Sequence, residues 1–262
     1  MTPSLRAGSA LPPLAPGSVL LLRGTLDPGP EVSGLLDRAL TPEEWARAEG
    51  LRIPSVNRRF RATRGWMRIV LARFMGQAPE ALVFTRGPAG KPGLVDGPAF
   101  NMSHTGDHLL LALAIEGALG VDAEESRRLR DLEGLANRVF TLQEREELLE
   151  FPEGPMREAA FLRGWTRKEA LVKAMGRGIS LPLQQVSVDL LRTEGCLLRW
   201  THPSLAAGTE GAPAGWTIVD AGHAAPQAGA AAVAWNRPIA SIEVMDLPRG
   251  PAAEVWIRSG RS

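Results

Sequence analysis

Apolar positions along the chain fall into two kinds of spacing. Over two long stretches they recur at three- and four-residue steps, the period of an amphipathic helix. Val56, Phe60, Thr63, Met67, Val70, Leu71 and Phe74 draw one side of a helix from about Ser55 to Met75. Arg58, Arg59, Arg61, Arg64, Arg68 and Arg73 stack mainly on its other sides. Phe161, Trp165, Val172 and Met175 draw a second such stripe from Phe161 to Gly176. Gly176 and Gly178 stand where a left-handed helix cap would fall. Two shorter helices are announced by capping boxes. Thr41-Pro42-Glu43-Glu44 opens one that runs to about Ala48, and Thr141-Leu142-Gln143-Glu144 opens one that runs to about Glu150.

Elsewhere the apolar runs are short and bounded by turn residues, the mark of strands. They lie at 18–22, 81–85, 109–115, 118–123, 186–190, 196–200, 216–219 and 230–235. The Gly/Pro-rich segment RGPAGKPG is a turn, and 204–215 and 221–230 are expected to be flexible loops. Residues 1–17, rich in Pro, Gly, Ala and Ser, are expected to be a loose leader. One short echo joins the two long helices. Arg64-Gly65-Trp66-Met67-Arg68 and Arg163-Gly164-Trp165-Thr166-Arg167 differ only at Met67 against Thr166.

Composition narrows the chemistry. With 262 residues the chain is long enough for one domain or two smaller ones with a sizeable core. Thirty basic residues against 29 acidic ones leave no global field to recruit nucleic acid or an anionic membrane. One cysteine, Cys196, excludes an internal disulfide, and four scattered histidines make a His-ligated zinc a poor expectation. The apolar run Val19–Leu22 is too short for a signal peptide or a membrane span, which points to the cytoplasm.

Three stretches then stand out. On the second long helix Glu169 lies four residues after Trp165 and four before Lys173, so the three share one side at the edge of the core. Taken alone, Glu169 and Lys173 read as a surface ion pair. At Gly120-Val121-Asp122-Ala123-Glu124, a strand puts Asp122 and Glu124 on one face and Ala123 on the other. Two carboxylates projecting together call for a positive partner, and a hard divalent cation with oxygen ligands is the natural one. Phe100-Asn101-Met102-Ser103-His104 is another strand-to-turn stretch.

Taken in order, FNMSHT, GVDAE and WTRKEALVK resemble the signatures of the 4′-phosphopantetheinyl transferases, in their surfactin-synthetase-activating (Sfp-type) branch. Those signatures read FNxSHs, GxDxE and (F/W)(S/T)xKExxxK. The resemblance runs from about Arg52 to Val188 and includes Gly90-Lys91-Pro92. It implies an α+β fold of two pseudo-symmetric halves, each a small, mostly antiparallel sheet on a long helix, with the active site at their interface. The halves would be 18–115, on the coenzyme A nucleotide side, and 116–245, on the metal and catalytic side, with 246–262 as a tail.

The implied reaction moves the phosphopantetheine arm of coenzyme A to a serine hydroxyl of an apo carrier protein of acyl or peptidyl type, releasing 3′,5′-adenosine bisphosphate. This is the holo-acyl-carrier-protein synthase reaction. Asp122, Glu124 and Glu169 would hold Mg²⁺, or Mn²⁺ in its place, with Glu169 as ligand or as base. Lys168 and Lys173 would neutralise the pyrophosphate. Lys91, Ser103, His104, Arg64, Arg59 and Arg52 would bind the nucleotide end of coenzyme A. A monomer is expected, without nucleic acid or membrane partners. The alternatives are a nucleic-acid-binding module using the Arg-rich helix 55–75, and a catalytically inactive family member acting as a scaffold.

Overall fold

The computed structural model describes residues 11–178, 182–195, 197–201, 215–224 and 229–259. In chain order its first part holds β1 (Ser18–Thr25), α1 (Pro30–Asp37), α2 (Pro42–Glu49), α3 (Pro54–Met75), β2 (Phe84–Arg86), β3 (Pro92–Leu94), β4 (Ala99–Thr105) and β5 (His108–Ala114). Then come β6 (Leu119–Glu124), α4 (Leu132–Val139), α5 (Leu142–Leu149), α6 (Pro155–Met175), β7 (Val186–Val188) and β8 (Leu198–Thr201). The chain continues with β9 (Thr217–Asp220), β10 (Ala230–Trp235), β11 (Ser241–Asp246) and α7 (Gly250–Ser259).

The fold is mixed α+β, and its layers follow from strand alternation. A four-stranded sheet, ordered β11-β1-β5-β4, turns Leu20, Leu22, Leu109, Leu111 and Leu113 towards α1, α3 and α7. The alternate residues Val19, Leu21, Leu110, Ala112 and Ala114 point the other way. There they meet Leu119, Val121 and Ala123 of β6 and Ala231, Val233 and Trp235 of β10, from a second sheet ordered β6-β10-β9. The outer face of that second sheet, with Ala230, Ala232, Ala234 and Ile218, packs on α6. The result is helix, sheet, sheet, helix. All pairings in the two sheets are antiparallel except β1 with β11.

Two glycines of the repeated Arg-Gly-Trp triplet sit at the tightest points of the long helices. A Cβ at Gly65 would lie 2.5 Å from the Leu36 Cβ, and one at Gly164 would collide with Leu190 and lie 2.7 Å from the Phe140 ring. The tryptophans differ. Trp66 is buried and donates to the Thr25 carbonyl at 3.0 Å, while Trp165 is half-buried and stacks on Phe161.

Both capping boxes form as expected, at Thr41/Glu44 and Thr141/Glu144. Other expectations change. α6 begins at Pro155, because the FPEGP break supplies a positive-φ Gly154 followed by proline, which is tolerated in a first helical turn. It is also buried around most of its girth, Thr166, Arg167 and Lys168 included. The strand expected at 81–85 shifts into the small hairpin β2–β3. β11 and α7, in the segment expected to end the second half and to trail beyond it, join the first sheet and its core through Leu247, Ala253, Trp256 and Ile257. Cys196 and most of the expected loop at 204–215 lie outside the described residues, as do 225–228 of the one expected at 221–230, which opens with a 3-10 turn at Gly222–Ala224.

Candidate active site

β4 and β6 are edge strands of different sheets, and the candidate site lies along the line where they meet, beneath α6. Gly120 makes this possible. A Cβ at that position would strike the Ala170 carbonyl and the Ala174 amide, so only glycine lets β6 run under the helix backbone. The same alternation then presents Asp122 and Glu124 on the α6 side, with Ala123 buried between the sheets.

Asp122 is the centre of the arrangement. It is 5% exposed, and its Oδ1 accepts from Lys173 Nζ at 2.6 Å and from Ser103 Oγ at 2.9 Å. Lys173 also donates to Ser103 Oγ at 3.0 Å, closing a triangle. The other carboxylate oxygen, Oδ2, is buried with no hydrogen-bond partner. Burial raises the Asp122 carboxyl above its ordinary value, with Lys173 opposing. Glu169, half-buried one helical turn before Lys173, is raised by burial and by the charges of Asp122 and Glu124, again against Lys173. Glu124 pairs with Arg127 at 2.6 Å. Glu169, Lys173, Val172, Lys91, Asn101 and Met102 help line a cleft of about 270 Å³.

Whether these residues suit a divalent cation is decided at Asp122 Oδ2. A buried carboxylate oxygen without a donor, within the field of two further carboxylates, is a donor set that a hard cation satisfies. Among the described residues no three His, Cys, Asp or Glu groups are drawn together around a common point; the Lys173 ammonium takes Asp122 Oδ1 instead. Asp122, Glu124 and Glu169 are thus of the chemistry that a divalent cation would suit, with Asp122 the most firmly held of them.

The other predicted site residues divide. Lys168 is corrected: its ammonium is fully buried away from the cleft. It donates to Glu144 Oε2 at 2.6 Å and to the Val139 and Leu183 carbonyls at 2.8 and 3.0 Å. Neighbours in a helix point about 100° apart, and here that turn carries Lys168 from the cleft into the core. Ser103 reaches Asp122 and Lys173, so its hydroxyl is engaged at the acidic end of the site rather than at a nucleotide end.

His104 is exposed at the rim, held below its ordinary value by partial burial and by the charges of Lys173 and Arg59. Arg59 pairs with Asp107 at 2.9 Å. Arg64 lies 4.0 Å from Glu44 and over the Phe60 ring, and Arg52 stands exposed ahead of α3. Other arginines of α3 are also engaged, Arg61 with Asp37 at 3.2 Å and Arg68 with Glu44 at 2.6 Å. The helix therefore does not present the open basic stripe that a nucleic-acid module needs.

Lys91 is turned inward. Its Nζ donates to the Leu119 carbonyl at 2.7 Å and the Ala174 carbonyl at 3.0 Å, tying the glycine-rich loop to the start of β6 and the end of α6. Burial pushes its ammonium down to about 8. An unfolded chain keeps the ordinary lysine value, so between the two the unfolded state binds more protons and stability rises with pH. Wild type is expected to gain in melting temperature over Lys91→Met from about pH 8 to about pH 10. A constant gap across that range in thermal melts would reject the assignment.

A family model described as the 4′-phosphopantetheinyl transferase superfamily matches residues 118–224, the part that holds Asp122, Glu124, Glu169 and Lys173. The 4′-phosphopantetheinyl transferase HetI of Nostoc sp. is 37% identical over 169 residues, 63% of this chain and 70% of that one. The chain belongs to the 4′-phosphopantetheinyl transferase family.

Among other family relatives, AcpT of Salmonella typhimurium is 42% identical over 125 residues, 47% of this chain and 61% of that one. The Synechocystis sp. protein slr0495 is 43% identical over 154 residues, 57% of this chain and 62% of that one. The matched region thus spans under two thirds of the length of two of these three relatives. Among the described residues of this family member, no helix is long and apolar enough to cross a membrane.

Sequence reasoning missed two residues that shape the site and one that holds Lys168 away from it. Glu144 was visible only as a capping-box partner, yet it also receives Lys168 and the Val188 amide. Asn101 and Thr105 flank Ser103 at alternate positions of β4 and bond to β6. The period-two spacing of Asn101, Ser103 and Thr105 was the available signal.

Proposed function

We propose that this chain transfers the 4′-phosphopantetheine arm of coenzyme A to a serine hydroxyl of an apo carrier protein, releasing 3′,5′-adenosine bisphosphate. The observation that carries the reading is Asp122, a buried carboxylate bridged on one oxygen by Lys173 and Ser103 and left without a donor on the other. Asp122, Glu124 and Glu169 would hold Mg²⁺. A divalent cation bound there would neutralise pyrophosphate oxygens and make the attacked phosphorus more electrophilic.

The chain's own residues have distinct tasks in this reading. Lys173 brings a positive charge to the pyrophosphate. Glu169, a stronger base than an ordinary carboxylate, completes the ion's ligands or takes the serine proton as the new phosphorus–oxygen bond forms and the bond to the bisphosphate breaks. Lys91 spends two of its three donors on carbonyls and offers the third to a phosphate. His104, Arg59, Arg64 and Arg52 serve the nucleotide end. Lys168 has no part in the chemistry.

We place the chain in the larger, Sfp-type branch, built from two fused pseudo-symmetric halves, and read it as a cytoplasmic monomer. What supports this is that FNMSHT and Lys91 lie ahead of the family-model match, FNMSHT on a sheet with its own long helix and Lys91 in the loop between β2 and β3. The test is incubation with coenzyme A, Mg²⁺ and a panel of apo carrier proteins, followed by mass. Transfer is expected with Mg²⁺ or Mn²⁺, to vanish in excess chelator and to return on adding the metal. Full turnover in chelator would remove the metal from the reading, and no transfer to any carrier would remove the reading itself.

A further inference from the structure

The two larger sheets are not joined by a backbone ladder at the site. β4 ends one sheet and β6 ends the other, yet they run side by side there. Three side chains on one face of β4 span the gap. Asn101 Oδ1 accepts the Val121 amide at 2.9 Å, Ser103 Oγ donates to Asp122 at 2.9 Å, and Thr105 Oγ1 accepts the Glu125 amide at 3.0 Å. All three are buried. Strand alternation places 121 and 125 so that their amides leave the same edge of β6, while the opposite edge is taken by β10. Beyond Thr105, Gly106 adopts φ 55° and leaves room for the Glu125 carboxylate, which a Cβ would displace.

We infer that Asn101 and Thr105 are positioning residues that pin the chain on both sides of Asp122 and Glu124, and so fix the two carboxylates in place beside Glu169. The inference rests on the functional reading above. Asn101 holds the amide just before Asp122, and Thr105 holds the one just after Glu124. Neither side chain is bonded to Asp122, Glu124 or Glu169, so each acts through the backbone. Without the Thr105 acceptor, the chain past Asp122 loses its tie to β4, and Glu124 can follow Arg127 outward. Loss of an outer hydrogen bond of this kind weakens a metal site without dismantling the fold.

The test compares Thr105→Val, which keeps the shape and removes the acceptor, with Thr105→Ser, which keeps the oxygen. Thr105→Ala carries the same reading should the valine variant not accumulate as folded protein. Free Mn²⁺ is measured by its paramagnetic resonance signal without coenzyme A, and turnover is measured separately. Thr105→Val is expected to weaken Mn²⁺ binding and lower kcat by about tenfold each, with KM for coenzyme A within about twofold, and Thr105→Ser to restore both. A Thr105→Val protein that melts earlier but binds Mn²⁺ and turns over like wild type would overturn the inference. So would a loss that Thr105→Ser does not repair. A wild-type chain that neither transfers nor binds Mn²⁺ would sink the functional reading instead.

Discussion

Glu169→Gln is expected to leave the fold intact and to lower transfer to a carrier protein by about a hundredfold or more, the scale of one general-base group. Gln keeps the volume beside Val172 and Lys173 and removes the charge. The stability side has a definite sign. Burial and the neighbouring Asp122 hold the Glu169 carboxyl above its ordinary value, so above that ordinary value the folded state binds more protons than the unfolded one. Its contribution to stability therefore falls as pH rises through that window. Glu169→Gln should melt no earlier than wild type at neutral pH, with a flatter pH profile. Thermal melts from acid to neutral pH, beside carrier mass shift against time, check both parts. A variant that melts normally and turns over at the wild-type rate would remove Glu169 from the reaction.

Lys168→Met should do the reverse, costing stability first. Lys168 and Glu144 are both fully buried, and removing one partner leaves an uncompensated charge in the core, at a cost of about 3–5 kcal/mol. The carboxylate left behind still receives the Thr141 amide at 2.6 Å and the Val188 amide at 2.8 Å, so it stays where it is, without its cation. Adding Glu144→Gln removes the stranded charge and should restore much of the loss. Denaturant melts of both single variants and the double variant give the coupling directly. If Lys168→Met alone melts like wild type, the buried pair contributes nothing; if it is stable and catalytically dead, Lys168 belongs in the cleft after all.

That contrast marks how far the sequence could be read. Helical period reports spacing along the chain, and it drew α3 and the C-terminal half of α6. It does not report how wide the buried arc is. α6 lies against a sheet on one side and against α4 and α5 on another, so its polar residues Thr166, Arg167 and Lys168 are interior, and adjacent Lys168 and Glu169 part company. Strand alternation was more informative, because a two-residue period fixes the face outright: Asp122 and Glu124 together, Ala123 opposite. The helices α1 and α4 went unread. α1 opens at Pro30 after Gly29 with no side-chain cap, and the Asp131 cap of α4 lacks the Glu partner that makes a box legible. The period-two spacing of Asn101, Ser103 and Thr105 puts the three on one face of β4, but it does not say which segment of another sheet they meet.

β11 has a consequence for how the protein is made. Its first residue, Ser241, lies beside Ser18, 223 positions earlier, and its strand supplies the outer neighbour of β1. While the nascent chain is emerging, β1 can pair with β5 on one side only, and its other edge stays open until β11 leaves the ribosome. Trp256 and Ile257, which seal the helix layer above that edge, arrive later still. Contacts this distant are slow to find. A strand made early waits for one made much later.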